Sequence, residues 1–444
     1  MKELRFTNKQ LVQLIIPLVI EQILAVLVGM ADSVMVASVG EAAVSGVSLV
    51  DNVMILLINV FAAVATGGAV VVGHYIGQNR RERANKATDQ VVLVNLVLAL
   101  VITAGVYLCH SWILHTVFGK IDEDVMSNAK NYLLIVSASI PFLALYNGGA
   151  AVFRAVGNSK ISMETSLLMN LVNVAGNAIL IYGMKMGVVG AAIPTLFSRI
   201  LAAVIMIVLL RRQDQIVHLS KKFEWKFDHH LVKKILHIGI PNGLENSMFQ
   251  LGKILVLSLV STFGTASIAA NAVSGTIATF QILPGVAIGF AVLTVVSQCV
   301  GAGEYDQVKY YTKKLHKIVY AAMVVSNLSV IFMLPLIMRI YNLSDITAEM
   351  TTNILTYHGI CAMFIWPLAF TLPNMLRAAN DVKYTMYVSI FSMWVFRIAF
   401  SYVLGQYLEM GVFGIWVAMT IDWLFRAICF AVRYLKGKWR HQTI

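Results

Sequence analysis

The chain has 444 residues, of which 59% are hydrophobic and only 13% are charged, and its formal net charge is +12. Soluble domains average about 45–50% apolar and about 25% charged residues, so this composition excludes a disordered chain, a DNA-binding arm and an ordinary cytosolic enzyme. A basic excess is typical of nucleic-acid-binding proteins and of membrane proteins with positive cytoplasmic loops, and the positions of the charges distinguish the two.

Twelve apolar stretches follow one another along the chain, each close to the about 20 residues that a helix needs to cross a bilayer. They cover residues 11–37, 45–75, 90–110, 131–151, 165–183, 188–210, 235–260, 267–300, 318–340, 351–373, 385–407 and 412–432. Because lipid offers no hydrogen-bond partner to an open backbone, we predict an all-α integral membrane protein with twelve transmembrane helices. The long polar connection sets the predicted domains: an N-lobe of residues 1–210 (helices 1–6), a cytoplasmic inter-lobe linker of residues 211–234, and a C-lobe of residues 235–444 (helices 7–12).

The Lys and Arg residues are distributed unevenly among the connections. With the N-terminus in the cytoplasm, 26 of the 34 lie in cytoplasmic segments, four in external loops and four within the spans. The external residues are Lys120, Lys130, Lys185 and Arg339, and the intramembrane residues are Arg199, Lys253, Arg397 and Arg426. This asymmetry follows the positive-inside rule. We therefore predict a multi-pass protein of a bacterial plasma (inner) membrane, with both termini in the cytoplasm, in contact with membrane lipid and not with nucleic acid.

The two halves of the chain repeat each other. A shift of 224 residues aligns Pro17 with Pro241 and Glu21 with Glu245 without a gap. Since six spans return the chain to the same side of the membrane, the repeats are parallel, and we predict two six-helix lobes related by a pseudo-twofold axis along the membrane normal. Parallel repeats of this kind are typical of secondary transporters, which bind substrate between the halves.

Motifs for ATP-driven or hydrolytic chemistry are absent from the sequence. It contains no GxxxxGK[ST] phosphate-binding loop, no HExxH and no GxSxG. We therefore predict that the protein is not an enzyme, has no catalytic residues, and draws any uphill transport from an ion gradient.

Several longer motifs carry a family resemblance. They are MADSVMVASVG (residues 30–40), the glycine-ended GHYIGQ and SQCVGAG, the paired turns RAVGNSK and RAANDVK, and NVAGNAILIYGMKMGVVGAAIPT (residues 173–195). In this order and in two halves, they resemble the MATE (multidrug and toxic compound extrusion) exporters over essentially the whole chain, closer to the DinF-like than to the NorM-like branch. The resemblance implies two lobes around a central cleft that alternates between inward- and outward-open forms. It also implies export of small-molecule drugs or metabolites driven by proton or sodium entry, with no further cofactor and no obligate protein partner.

The intramembrane charges differ between the halves. The N-terminal half contains Glu21, Asp32 and Asp51 against Arg199, whereas the C-terminal half contains Glu245 and Asp422 against Lys253, Arg397 and Arg426. Ionisable side chains within a bilayer are costly, so each is a functional hypothesis. An unpartnered carboxylate must bind a proton, a metal cation or water. This count places the predicted coupling-ion site in the N-lobe.

Asp32 and Glu21 are eleven residues apart, so they share one face of the first helix at a separation of about 16 Å along its axis. We predict that both take part in ion coupling. The alternative is that Asp32 lies at the water interface and only marks the end of the helix.

The resemblance to the DinF-like branch implies that a helix-1 Asp works with two helix-5 residues and a helix-6 Thr. The matching positions are Asp32, Asn173, Asn177 and Thr195. Asn177 departs from the family pattern, which has Asp there, and the missing charge favours protons slightly over sodium; Na⁺ at Asp32 remains the other prediction. The alternative role of the two Asn residues is interhelical hydrogen bonding.

The NorM-like branch places acids at the positions that Phe249 and Trp366 occupy here, so a NorM-type cation site is not expected. Glu245, one turn away, either binds a cationic substrate or forms a structural pair with Lys253 or Arg397. Together with Asp51 and Lys253, it is a predicted substrate-binding residue.

These observations favour a secondary-active multidrug efflux antiporter that exports amphipathic, often cationic, compounds in exchange for H⁺ or Na⁺. The alternative is a flippase or exporter of a lipid-linked or polysaccharide precursor. Twelve rather than fourteen spans, and only four intramembrane cations, disfavour that alternative. A structural or receptor role would leave the unpartnered acids of the N-terminal half without a purpose.

Overall fold

A computed structural model describes residues 4–117, 119, 121–221 and 225–442 of the chain. The predicted external Lys120 and residues 222–224 of the predicted linker lie outside the described residues. Every regular element within the described residues is helical.

Fourteen α-helices make up most of the described chain. They are α1 (Asn8–Ala37), α2 (Glu41–Gly77), α3 (Arg81–Trp112), α4 (Glu123–Ser137), α5 (Ile140–Ala155), α6 (Ser159–Asn177), α7 (Val189–Arg211), α8 (His229–Val260), α9 (Thr265–Gly301), α10 (Tyr305–Tyr341), α11 (Asp345–Phe364), α12 (Leu372–Ala378), α13 (Val382–Ser392) and α14 (Gly411–Leu435). π-helical turns adjoin several of them, at Ile113–Val117, Ala178–Gly183, Pro367–Thr371, Met393–Ala399 and Tyr402–Tyr407. Short 3₁₀ turns lie at Ser261–Phe263 and Lys438–His441.

The twelve predicted spans each coincide with a helical segment of the structure. In the described residues, nine helices, some lengthened by an adjoining π-helical turn, are long and apolar enough to cross a membrane, and two bent pairs raise the number to eleven. These pairs are α4 with α5, bent by 50°, and α11 with the segment Pro367–Ala378, bent by 60°. The twelfth segment, α8, is less apolar because Glu245, Gln250 and Lys253 interrupt it.

The sequence repeat is visible in the helix boundaries. A shift of 224 residues carries α2 onto α9, both of 37 residues, and carries the start of α3 onto the start of α10. The turns before α2 and α9 also match, since Gly40 and Gly264 adopt φ angles of 139° and 95°. L side chains rarely adopt such angles, which explains glycine at both positions.

The chain forms two compact units: an N-unit of Val12–Gly243, and a C-unit of Met1–Leu11 with Leu244–Ile444, as far as their residues are described. In the N-unit, α2 packs against α3, α4 and α5, and α7 packs against α5 and α6, around buried side chains that include Val50, Phe61 and Leu133. In the C-unit, α9 packs against α10, α11 and α12. The predicted domain limits at residues 210 and 235 stay a prediction.

Candidate functional site

A cavity of about 280 Å³ lies inside the N-unit, between α1, α2, α4, α6 and α7. Its polar lining includes Asp32, Asp51, Tyr132, Asn173, Asn177, Thr195 and Arg199. Each of these residues comes from a helix that sequence analysis predicted to span the membrane. The cavity thus brings five of the predicted site residues into one polar space within a largely apolar helical unit.

Two amides converge on the Asp32 carboxylate. Asn177 Nδ2 donates a hydrogen bond to Asp32 Oδ1 at 2.8 Å. The Asn173 amide is assigned with its nitrogen towards Asp32, where it donates to both carboxylate oxygens at 3.0 and 3.1 Å, because the opposite assignment would bring its oxygen against the carboxylate. Asn173 and Asn177 can reach one carboxylate because residues four apart lie on one face of α6.

Thr195 on α7 completes this group. Its Oγ1 lies 3.0 Å from the Asn173 side-chain oxygen and donates to it. Asn177 is almost fully buried, and its side-chain oxygen has no hydrogen-bond partner among the described residues. The structure therefore places Asp32, Asn173, Asn177 and Thr195 together and leaves one amide oxygen free to bind a proton donor or a cation.

Asp51 and Arg199 occupy another part of the same cavity. The Tyr132 hydroxyl donates to Asp51 Oδ1 at 3.3 Å, and Arg199 Nη1 donates to Ser139 Oγ at 2.7 Å. Within the described part of the chain, no ion pair of 4.0 Å or less joins Arg199 to a carboxylate. Two carboxylates therefore share the cavity with one guanidinium, which leaves one negative charge in excess.

Glu21 lies elsewhere in the N-unit, against α5 and α6, and does not line this cavity. Ser162 Oγ lies 3.0 and 3.1 Å from its two carboxylate oxygens, and Arg154 Nη1 forms an ion pair with Glu21 Oε1 at 3.4 Å. We had assigned Arg154 to a cytoplasmic turn, and its contact with Glu21 corrects the charge count of this half. Coupling by Glu21 jointly with Asp32 stays a prediction.

The C-unit contains the equivalent pair. Arg377 Nη2 donates to Glu245 Oε2 at 2.8 Å, and both side chains are largely buried. Glu245 therefore pairs with Arg377 and not, as one of our alternatives proposed, with Lys253 or Arg397. Lys253 is eight residues further along α8, about 12 Å away along the axis, which is too far for direct contact. Sequence reasoning missed both Arg residues, although RAVGNSK and RAANDVK repeat them at the shift that also relates the two Glu residues.

Lys253, the remaining predicted site residue, contacts an aromatic ring. Its Nζ lies 5.7 Å from the ring centroid of Phe249, and the Arg397 guanidinium lies 4.8 Å from the same centroid. The structure therefore separates the predicted substrate-binding residues: Asp51 lies in the N-unit cavity, Glu245 pairs with Arg377, and Lys253 lies beside Phe249.

Comparison with known proteins identifies the family. The MatE family model matches residues 17–179 and again residues 241–403, two segments that are related by the same shift of 224 residues. The chain belongs to the MATE family. Within this family it is similar to the uncharacterized transporter YisQ of Bacillus subtilis, with 27% identity over 95% of this chain and 93% of YisQ. It is also similar to the probable multidrug resistance protein NorM of Thermotoga maritima, with 25% identity over 98% and 94% of the two chains.

Solved structures agree with the fold. A structure described as the outward-facing conformation of a multidrug resistance MATE family transporter matches with a TM-score of 0.90 and 20% identity, over 98% of this chain and 97% of that one. A MATE crystal structure in a bent conformation matches with a TM-score of 0.86 and 22% identity, over 97% and 94%. These matches confirm the twelve-helix MATE fold, and the family makes the chain a multi-pass membrane transporter. The closer relation to the DinF-like branch stays a prediction.

Proposed function

We propose that the protein is a secondary-active antiporter that exports amphipathic organic compounds in exchange for H⁺ or Na⁺, and that the Asp32 cavity is its coupling-ion site. One observation carries this proposal: two amides hold the Asp32 carboxylate in a cavity with one negative charge in excess. Such a charge is costly within a bilayer unless an ion neutralises it.

Four side chains can exchange their partners when the ion binds. With Asp32 ionised, the carboxylate accepts hydrogen bonds from Asn173 and Asn177. A protonated carboxyl group needs an acceptor for its own O–H, and the unpartnered Asn177 oxygen supplies one after a small rotation of the amide. For sodium, the oxygens of Asp32, Asn177 and Thr195 provide the hard ligands that such a cation prefers.

Coupling to export requires that the ion and the exported compound favour different conformations. Neutralising Asp32 removes the reason for both amides to donate towards it, so ion binding changes the hydrogen bonds between α1 and α6. A ligand shifts a conformational equilibrium only by its difference in affinity for the two states. The exported compound therefore has to bind best to the state in which Asp32 has lost its ion.

The proposal is tested by export of ethidium from proteoliposomes that contain the purified protein. One set carries a pH gradient without sodium, and a second carries a sodium gradient at fixed pH. We expect one gradient to drive export, Asp32→Asn to abolish it, and Glu41→Gln, a neutralised acid on the exposed start of α2, to retain it. Export by Asp32→Asn at the rate of the parent protein would refute the assignment of the coupling site.

A further inference from the structure

The charges of the C-unit do not balance once the contacts are assigned. Arg377 takes up the charge of Glu245, which leaves Asp422 as the carboxylate that neighbours Lys253, Arg397 and Arg426 among the described residues. We call these four residues the cationic cluster. It has two positive charges in excess, whereas the N-unit cavity has one negative charge in excess. Our expectation that the charges of the C-terminal half cancel within it was wrong, because Glu245 is engaged elsewhere.

One of the three cations is satisfied. Arg426 Nε donates to Asp422 Oδ1 at 2.8 Å, and Arg426 Nη2 donates to the Ser389 carbonyl at 3.1 Å. Asp422 also accepts a short hydrogen bond from Ser392 Oγ. Asp422 and Arg426 therefore form a buried structural pair that needs no further ligand.

The other two cations lack hydrogen-bond acceptors. Arg397 Nη1 approaches Asp422 Oδ2 only to 3.9 Å, which is too long for a hydrogen bond. In the described part of the chain, neither the Arg397 guanidinium nor Lys253 Nζ donates a hydrogen bond, although together they carry eight N–H donors. The Lys253 side chain is exposed, and 12% of the Arg397 side chain remains accessible, so a ligand can reach both.

Aromatic rings surround these free donors. Phe249 lies against Lys253 and Arg397, and the Arg426 guanidinium lies 5.4 Å from the ring centroid of Phe370. The Phe370 ring stacks on Trp366 with a centroid distance of 5.0 Å. A small inorganic anion would lose hydration against these rings without a matching gain, whereas an aromatic molecule buries apolar surface there.

We infer that Lys253 and Arg397 form a binding site for the anionic group of an aromatic organic compound. The planar Arg397 fork matches a carboxylate or a phosphate in two hydrogen bonds, and Lys253 adds a point charge from the other helix. Binding of the anion offsets the excess charge that the cluster otherwise holds within a membrane-spanning unit. As a statement about the exported compounds, this inference rests on the proposed transport function; as a binding site, it rests on the cluster alone.

Binding is measured with the purified full-length protein in phosphatidylcholine nanodiscs, without any ion gradient. The probes are tritiated naphthalene-1-acetate and its neutral isostere naphthalene-1-acetamide, which share the ring system and differ in charge. We expect the acid to bind at least roughly tenfold more tightly than the amide, a difference of about 1.4 kcal/mol. The double variant Lys253→Met/Arg397→Met should lose this preference and retain the affinity for the amide.

Two control variants separate charge from folding. Lys253→Arg/Arg397→Lys keeps both charges and should keep the preference for the acid. Lys317→Met removes an exposed lysine from α10 of the same unit and should behave as the parent protein. Equal affinity of the parent protein for acid and amide, or a preference that survives in the double Met variant, would overturn the inference.

A further arm distinguishes soluble acids from lipid phosphate as the source of the anion. Phosphatidic acid is added to the nanodiscs, and either result retains the cationic cluster as an anion site. Loss of naphthalene-1-acetate binding assigns the cluster to lipid phosphate, and unchanged binding assigns it to soluble acids. Because no gradient is present, failure of ethidium export would refute the transport proposal without changing these affinities.

Discussion

The duplicated pair of Glu and Arg makes a quantitative prediction about stability. Glu245 and Arg377 lie 2.8 Å apart, and Glu245 has no other printed side-chain donor in the described structure. Arg377→Met therefore leaves a buried carboxylate without a partner. Removal of one member of a buried ion pair typically costs about 3–5 kcal/mol. We expect a destabilisation of this size for Arg377→Met.

The equivalent change in the N-unit should cost less. The Arg154 to Glu21 distance is 3.4 Å, and Ser162 Oγ lies 3.0 Å from the same carboxylate. Arg154→Met leaves the Ser162 contact in place, and hydrogen bonds to charged groups are worth about 1.5–3 kcal/mol. The variant should therefore be less destabilised than Arg377→Met by about 1–2 kcal/mol. The double variant Glu245→Gln/Arg377→Met removes both charges and should recover most of the loss.

The assay is thermal unfolding of each variant in the same nanodiscs, followed by tryptophan fluorescence and by gel filtration after heating. Because the chain forms two units, the midpoints are compared as apparent values and not converted to a single free energy. The expected order of midpoints is parent, then Arg154→Met, then Arg377→Met, with Glu245→Gln/Arg377→Met above Arg377→Met. An equal loss for both single Arg variants, or no recovery in the double variant, would show that the ion pairs do not set the stability of these helices.

Two further predictions concern the N-unit. Asn177→Asp adds a carboxylate beside Asp32, so we expect sodium to drive export at a roughly tenfold lower concentration, since an added charge at about 4 Å contributes up to about 4 kcal/mol at an effective dielectric constant of 20; an unchanged sodium response in proteoliposomes at fixed pH would contradict this. At Gly67, a Cβ atom would lie 2.2 Å from the Ile235 carbonyl oxygen, so Gly67→Ala should lower the apparent melting temperature by the equivalent of about 1–3 kcal/mol. Gly105→Ala meets no atom within 4 Å and should leave the melting temperature unchanged or raise it, and equal effects of the two substitutions would contradict the assigned contact.

Some of the site follows from sequence because its residues obey a regular helix period. Asn173 and Asn177 are four residues apart on α6, and the structure directs both towards Asp32. The partners of this carboxylate came from the resemblance, since no periodicity relates α1 to α6 or to Thr195 on α7. The spans themselves were predictable because their length is set by the thickness of the bilayer.

Other parts of the structure could not be obtained from spacing. Arg154 and Arg377 lie at the ends of helices, where sequence patterns indicate loops, yet their long side chains reach the buried Glu21 and Glu245. Arg397 lies in the π-helical turn Met393–Ala399, and the extra residue in such a turn shifts every side chain after it from the phase of an α-helix. The cationic cluster therefore could not have been derived from a helical wheel.

The repeat explains why the two units differ in the sign of their remaining charge. Both halves retain the Glu and Arg pair at equivalent positions, so this pair accounts for stability in each unit and does not distinguish their functions. What distinguishes them lies outside the pair: Asp32 and Asp51 with one guanidinium in the N-unit, and Lys253 and Arg397 without hydrogen-bond acceptors in the C-unit. A negative excess favours binding of a proton or metal cation, and a positive excess favours binding of an anion, each in a membrane-spanning unit where an unpaired charge is costly. The duplicated chain is thereby suited to bind an inward-moving cation in one unit and the acidic group of an exported compound in the other.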